Sequence, residues 1–195
     1  MELQLEQLRQ QCVQCQRCSL CQTRTNVVFG TGVPNAEVMF VGEGPGQNED
    51  EQGLPFVGRS GQLLDCYLQA IGLHRDKNIF IANIVKCRPP NNRDPLAEEW
   101  EACMPWLRQQ FSIIQPKIVV CLGRIAAQRM IRPNFSVSKE HGQWVEKNGV
   151  FFTATLHPAA LLRNPIQKPI AFEDYVAIRE KIQQICTHTY SSNTK

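Results

Sequence analysis

Val38-Met39-Phe40-Val41 is an apolar run that breaks directly into Gly42-Glu43-Gly44-Pro45-Gly46-Gln47-Asn48-Glu49-Asp50, and this stretch limits the possible folds more than any other. Without a polar interruption it reads as a fully buried strand, and the three glycines after it let the backbone approach a ligand closely or take a positive φ. A strand buried on both faces needs covering layers, and the rest of the chain supplies them by alternation. Leu63, Leu64, Tyr67, Leu68 and Ile71 recur at helical spacing between Gly61 and a stop at Gly72. Ile79 to Val85 is a second apolar strand, and Pro95 to Phe111 is helical. Ile118 to Leu122 reads as a third strand, ending at Gly123 before a helix around Ala126. Phe151 to Thr155 reads as a fourth, running into His157 to Arg163, and a last helix covers Ala171 to Ile185.

Repeated βα units joined by right-handed crossovers predict an α/β fold, a three-layer α/β/α arrangement around a central, mainly parallel four-stranded sheet. At 195 residues one domain is expected, with an ordered core over about residues 12–186. The termini read as peripheral: Leu3, Leu5 and Leu8 suggest a short lead-in helix, and Thr187 to Lys195 a disordered polar tail.

Ligands of open α/β sheets bind outside the carboxyl ends of the strands, so Glu43 and Glu49 are the first catalytic candidates, with a solvated turn as the plain alternative. No Gly-Lys-Ser/Thr and no Gly-x-Gly-x-x-Gly follows, which weakens a phosphate cradle. A net charge of +3 and a pI near 8.4 are compatible with an anionic partner but fall short of a basic stripe that would identify one. No run approaches the ~18 apolar residues of a membrane span. Met1 to Gln11 also lacks the apolar centre of a signal peptide, so the expectation is a monomeric, cytoplasmic protein with no membrane partner.

In a reducing compartment nine cysteines point to a metal or cluster before a disulfide framework. Cys12-x-x-Cys15-x-x-Cys18-x-x-Cys21 suits a zinc site, a ferredoxin-like run or a cluster that draws other ligands from afar. Cys87 and Cys103 flank a long polar loop, Arg88 to Pro95, and are either those distant ligands or ordinary buried thiols. Cys66, Cys121 and Cys186 fall on apolar faces and read as core.

Taken together, these motifs resemble the family 4 uracil-DNA glycosylases, the iron–sulfur group of the uracil-DNA glycosylase superfamily. The resemblance is carried by Gly42-Glu43-Gly44-Pro45-Gly46-x-x-Glu49-Asp50, by Pro55-Phe56-Val57-Gly58 with Gly61-Gln62-Leu63-Leu64, by Asn83-Ile84-Val85-Lys86-Cys87-Arg88-Pro89-Pro90, and by His157-Pro158-Ala159-Ala160-Leu161-Leu162-Arg163. It runs from about Cys15 to the last helix and implies excision of uracil from single- or double-stranded DNA, leaving an abasic site. It also implies a [4Fe–4S] cluster on Cys15, Cys18, Cys87 and Cys103, with Cys12 and Cys21 as spare thiols.

By the same resemblance, His157 donates to the developing anion on uracil O2, Asn83 reads O4 and N3, and Phe56 stacks on the extruded base. Gly44 stands where other superfamily members carry a water-positioning aspartate, which leaves Glu43 to stabilise charge and Glu49 to orient water or wall off the uracil C5 position. Leu161 or Leu162 is the expected wedge into the gap left by the flipped nucleotide, with Arg163 on a phosphate. Lys86, Arg88 and Arg93 are further phosphate candidates. A non-catalytic uracil-DNA binding module and an iron–sulfur redox protein are the alternatives, the latter leaving the Asn83 and His157 motifs unused.

Overall fold

The structure, a computed structural model, describes residues 1–191. Its elements are α1 (Glu2–Val13), β1 (Thr31–Gly32), β2 (Val38–Gly42), α2 (Gln47–Gln52), α3 (Arg59–Ala70), β3 (Ile79–Asn83), α4 (Ala97–Ile114), β4 (Ile118–Leu122), α5 (Arg124–Met130), α6 (Val137–Glu140), β5 (Val145–Lys147), β6 (Val150–Thr155), α7 (Pro158–Arg163) and α8 (Lys168–Ile185). They form one six-stranded sheet in the order β1-β3-β2-β4-β6-β5. β3, β2, β4 and β6 run parallel and are the strands that the apolar runs predict. Thr31–Gly32 and Val145–Lys147 add short antiparallel edges, which extends the expected four strands to six. Neither edge has an apolar run, since an edge strand has no buried pair of faces to fill.

Alternation along the parallel strands sends their side chains into two cores, and these are apolar apart from Asn83 of β3 and Thr153 and Thr155 of β6. Val38 and Phe40 of β2 pack with Ile79, Ile81, Ile118 and Val120 against Leu64 and Leu68 of α3 and Tyr175 and Ile178 of α8. Met39 and Val41 point the other way, into a cluster with Phe80, Val119, Leu107 of α4 and Ala126 of α5. The lead-in helix is less peripheral than its sequence suggests, because Leu5, Leu8 and Cys12 of α1 are buried in that second cluster.

Two other expectations need correction. Cys66 is exposed on α3, while Cys121 is buried and Cys186 lies between. The segment after α8 is docked: buried Glu37 accepts the backbone N–H groups of Thr187, His188 and Thr189 at 2.8, 2.9 and 2.9 Å, and Lys117 pairs with it at 2.8 Å. A buried carboxylate holds chain only where donors such as these satisfy it. The remainder of the expected polar tail, residues 192–195, lies outside the described residues.

Candidate active site and cysteine cavity

Strand order reverses about β2, which pairs with β3 on one side and β4 on the other, and ligands of open α/β sheets settle at such a switch point. A cleft of about 720 Å³ opens there, at the carboxyl ends of all four parallel strands. It is lined by Glu43, Gly44 and Glu49 after β2, Asn83 at the end of β3, Gly123 and Arg124 after β4, and His157 and Arg163 after β6.

The floor of the cleft is a slot. A Cβ on Gly42 would meet Asn83 Oδ1 at 2.4 Å and Phe56 Cζ at 2.6 Å, so only glycine lets these two side chains stand over the strand end. Asn83 is 1% exposed, and its Oδ1 has no hydrogen-bond partner. A buried acceptor left unmade is costly, and one at a cleft is an acceptor waiting for a ligand donor. Phe56 holds a left-handed backbone, φ 53°, which is uncommon for a bulky residue and which surrounding contacts must hold in place. Those contacts are explicit. Arg75 donates to the carbonyls of Pro55 at 2.8 Å and Phe56 at 3.0 Å, and Glu49 Oε1 accepts the N–H groups of Val57 and Gly58, both at 2.9 Å. The other Glu49 oxygen accepts the Gly46 N–H at 3.1 Å. Glu49 is therefore a clasp between the glycine loop and the Phe56 loop.

His157 stands beside Phe56, their ring centroids 5.8 Å apart. Gly123, with φ +89°, makes room for it, since a Cβ there would meet the His157 Cβ at 2.8 Å. Burial, helped by the nearby charge of Arg163, pushes the imidazole down to about 4. Its Nδ1 accepts the Ala159 N–H at 3.1 Å, so the neutral ring carries its proton on Nε2. Glu43 is the carboxylate left free in the cleft. Burial and the neighbouring Asp94 carboxylate push it up to about 7, with Arg124 pulling the other way. Arg124 and Asp94 form an exposed ion pair at 2.5 Å. The slot thus offers an unpaired amide acceptor, an aromatic wall, a neutral imidazole donor and one adjustable carboxylate.

The profile of the uracil DNA glycosylase superfamily matches residues 29–180. The chain belongs to the uracil DNA glycosylase superfamily. Among relatives, a type-4 uracil-DNA glycosylase of Sulfurisphaera tokodaii is 48% identical over 90% of this chain and 84% of that protein. One from Archaeoglobus fulgidus is 41% identical over 93% of each chain, and one from Thermotoga maritima 42% identical over 82% of this chain and 84% of its own.

The structure brings Glu43, Gly44, Glu49, Phe56, Asn83, His157 and Arg163 together in the cleft, while three other predicted contact residues are placed against the parts expected of them. Leu161 is fully buried in the α3/α8 core and cannot act as a surface wedge, whereas Leu162 is partly exposed and Arg163 exposed on the cleft rim. Lys86 is 1% exposed and cannot reach a phosphate. Arg93 is committed to buried Glu99 through two hydrogen bonds of 2.8 and 2.6 Å. Sequence reasoning passed over Asp94, Arg124 and Arg75. Arg124 carried a usable signal, since Gly123-Arg124 follows a buried strand as Gly42-Glu43 does; Asp94 and Arg75 sit in polar stretches that carry none.

Between the N-terminal segment, the chain after β3 and α4, a small cavity is lined by Cys12, Cys15, Cys18, Cys21, Cys87 and Cys103. Among the described residues no group of three or more His, Cys, Asp or Glu is drawn together as a single metal ion would require. The six thiols instead surround a space, and three of them receive N–H donors: Trp106 Nε1 to Cys15 at 3.2 Å, Lys86 N to Cys103 at 3.2 Å and Arg24 Nη1 to Cys87 at 3.3 Å. Donors aimed at several sulfurs suit thiolates that share one multi-atom centre. No described helix is long and apolar enough to cross a membrane.

Proposed function

We propose that this chain is a uracil-DNA glycosylase that takes uracil out of single- or double-stranded DNA, breaks its N-glycosidic bond and leaves an abasic site. The observation that carries the reading is the unpaired Asn83 Oδ1, buried beside Phe56 and His157. In uracil that oxygen meets the N3–H donor while the Asn83 amide N–H meets the O4 acceptor. Cytosine reverses both groups, and a site with desolvated polar partners rejects the reversed pattern strongly. Phe56 stacks on the everted base.

As the bond to C1′ breaks, its electron pair passes to uracil N1 and onto O2, and positive charge grows on the sugar. The neutral His157 is the donor to O2, a role worth about 2.7–4 kcal/mol when one such donor is removed elsewhere. Ionised Glu43 faces the sugar cation and takes a proton from the water that adds to C1′, while Gly44 contributes only backbone. Glu49 acts through position, holding Gly46 and the Phe56 loop. Leu162 and Arg163 meet the DNA at the rim. Cys15, Cys18, Cys87 and Cys103 hold a [4Fe–4S] cluster whose part is structural, binding the N-terminal segment to the Asn83–Cys87 segment and α4.

Oligonucleotides with a single deoxyuridine, incubated with purified protein and cleaved by alkali at abasic sites, test this. Strand breaks only at uracil are expected. Intact strands at stoichiometric protein with tight uracil-DNA binding would instead favour a non-catalytic binding module.

A further inference from the structure

Lys86 is a charge without an evident counter-charge. Its side chain is fully buried, and among the described residues no carboxylate stands within ion-pair distance of it. An ammonium taken out of water is strongly unfavourable unless it is both hydrogen-bonded and paired. The hydrogen bonds are present: Nζ donates to the Gln110 side-chain oxygen at 2.6 Å and to the Asn83 main-chain oxygen at 3.0 Å. Gln110 is itself anchored, donating to the Phe29 carbonyl at 2.8 Å. Both acceptors of the ammonium are neutral.

Among the described residues the anionic candidates at hand are sulfurs. Lys86 lines the cysteine cavity, its backbone N–H donates to Cys103 Sγ, and Cys87 follows it in the chain. A thiolate-ligated iron–sulfur centre carries net negative charge, which would complete the pairing. In the other direction the ammonium holds the carbonyl of Asn83, and the chain between them is zipped to the catalytic loop, with Ile84 N bonded to Gly42 O at 2.9 Å and Val85 N to Glu43 O at 3.1 Å. A single buried side chain thus touches the cluster site and the base-reading strand end.

We propose that Lys86 is a positioning residue, the internal counter-ion of the cluster and the tether that sets the Asn83 amide in the uracil slot. The proposal rests on reading the cysteine cavity as a cluster site. It explains why a lysine is spent in the interior where an aliphatic residue would pack.

Lys86→Met keeps the shape and removes the charge. With the cluster-loaded full chain, the midpoint potential of the cluster is expected to fall, because loss of a nearby cation disfavours the added electron. Single-turnover uracil excision is expected to drop about 10- to 100-fold through kcat, as for other small displacements of a reacting geometry, with KM for DNA little changed. Lys86→Arg, which retains the charge, should return the potential toward wild type. A loaded Lys86→Met protein with unmoved potential or unchanged excision overturns the proposal. Should that variant fail to fold, the wild type decides: oxidative removal of the cluster should speed amide exchange at Ile84 and Val85, and unchanged exchange refutes the tether. Wild-type protein that binds neither iron nor sulfide would sink the cluster reading itself, an outcome visible before any variant is made.

Discussion

Replacing Glu49 by glutamine separates a clasp from a chemical group, because the two roles predict different damage. Both carboxylate oxygens are occupied, one by the Gly46 N–H at 3.1 Å and the other by the Val57 and Gly58 N–H groups at 2.9 Å each. Glutamine keeps one accepting oxygen. With that oxygen toward Val57 and Gly58, its NH₂ opposes the Gly46 donor; the flipped amide opposes two donors. The less damaging arrangement loses a charge-assisted hydrogen bond, about 1.5–3 kcal/mol, and the orphaned N–H is part of the same loss, so a total of about 2–3 kcal/mol is expected. For a chain of this size each kcal/mol moves Tm by roughly 2–4 °C, which gives a fall of about 4–12 °C. Thermal unfolding followed by circular dichroism on cluster-loaded protein measures it, with single-turnover excision run in parallel. Excision should slow about 10- to 100-fold as the Phe56 loop loosens. Lost excision at an unchanged Tm would refute the clasp and return Glu49 to the chemistry.

Asn83→Asp keeps an acceptor for N3–H but loses the donor to O4, and uracil excision is expected to fall on the order of 100-fold or more; parallel assays on uracil and cytosine oligonucleotides check it, and an undiminished uracil rate contradicts the slot. In the proposed role Glu43 acts ionised, and with its carboxyl held up to about 7 the single-turnover rate should rise with pH and level off above that value. Asp94→Asn should move the limb down, Arg124→Ala should move it up, and Glu43→Gln should erase it. The sign for stability is opposite. Between the ordinary carboxylate value and about 7 the folded chain keeps a proton that the unfolded chain has released, so this group's contribution to stability is lost as pH rises through that window. Cys87→Ser and Cys103→Ser should lose iron and sulfide on purification, while Cys12→Ser and Cys21→Ser retain them; equal loss from all four would undo the assignment of ligands.

The layers of the fold were legible because a strand covered on both faces has to be apolar throughout, and Val38 to Val41, Ile79 to Ala82 and Ile118 to Leu122 can be little else. The catalytic candidates were legible for a related reason: each sits one to a few residues beyond such a strand, where the sheet ends and ligands gather. Periodicity assigns a residue to a face but not to a neighbour, and the revisions at the site came from that gap. Leu161 and Leu162 are equivalent in sequence, yet the rotation of α7 against α3 buries the first and leaves the second partly exposed. Lys86 and Arg93 read as surface cations until Gln110, 24 residues away, and buried Glu99 claim them. Glu49 and Glu43 share one loop and one chemistry, and only the approach of the Val57 and Gly58 N–H groups to the first and of Asp94 to the second separates their surroundings. Local pattern determined which residues could matter; the partner that satisfies or perturbs each charge arrives from distant chain, so its role was decided by tertiary contact alone.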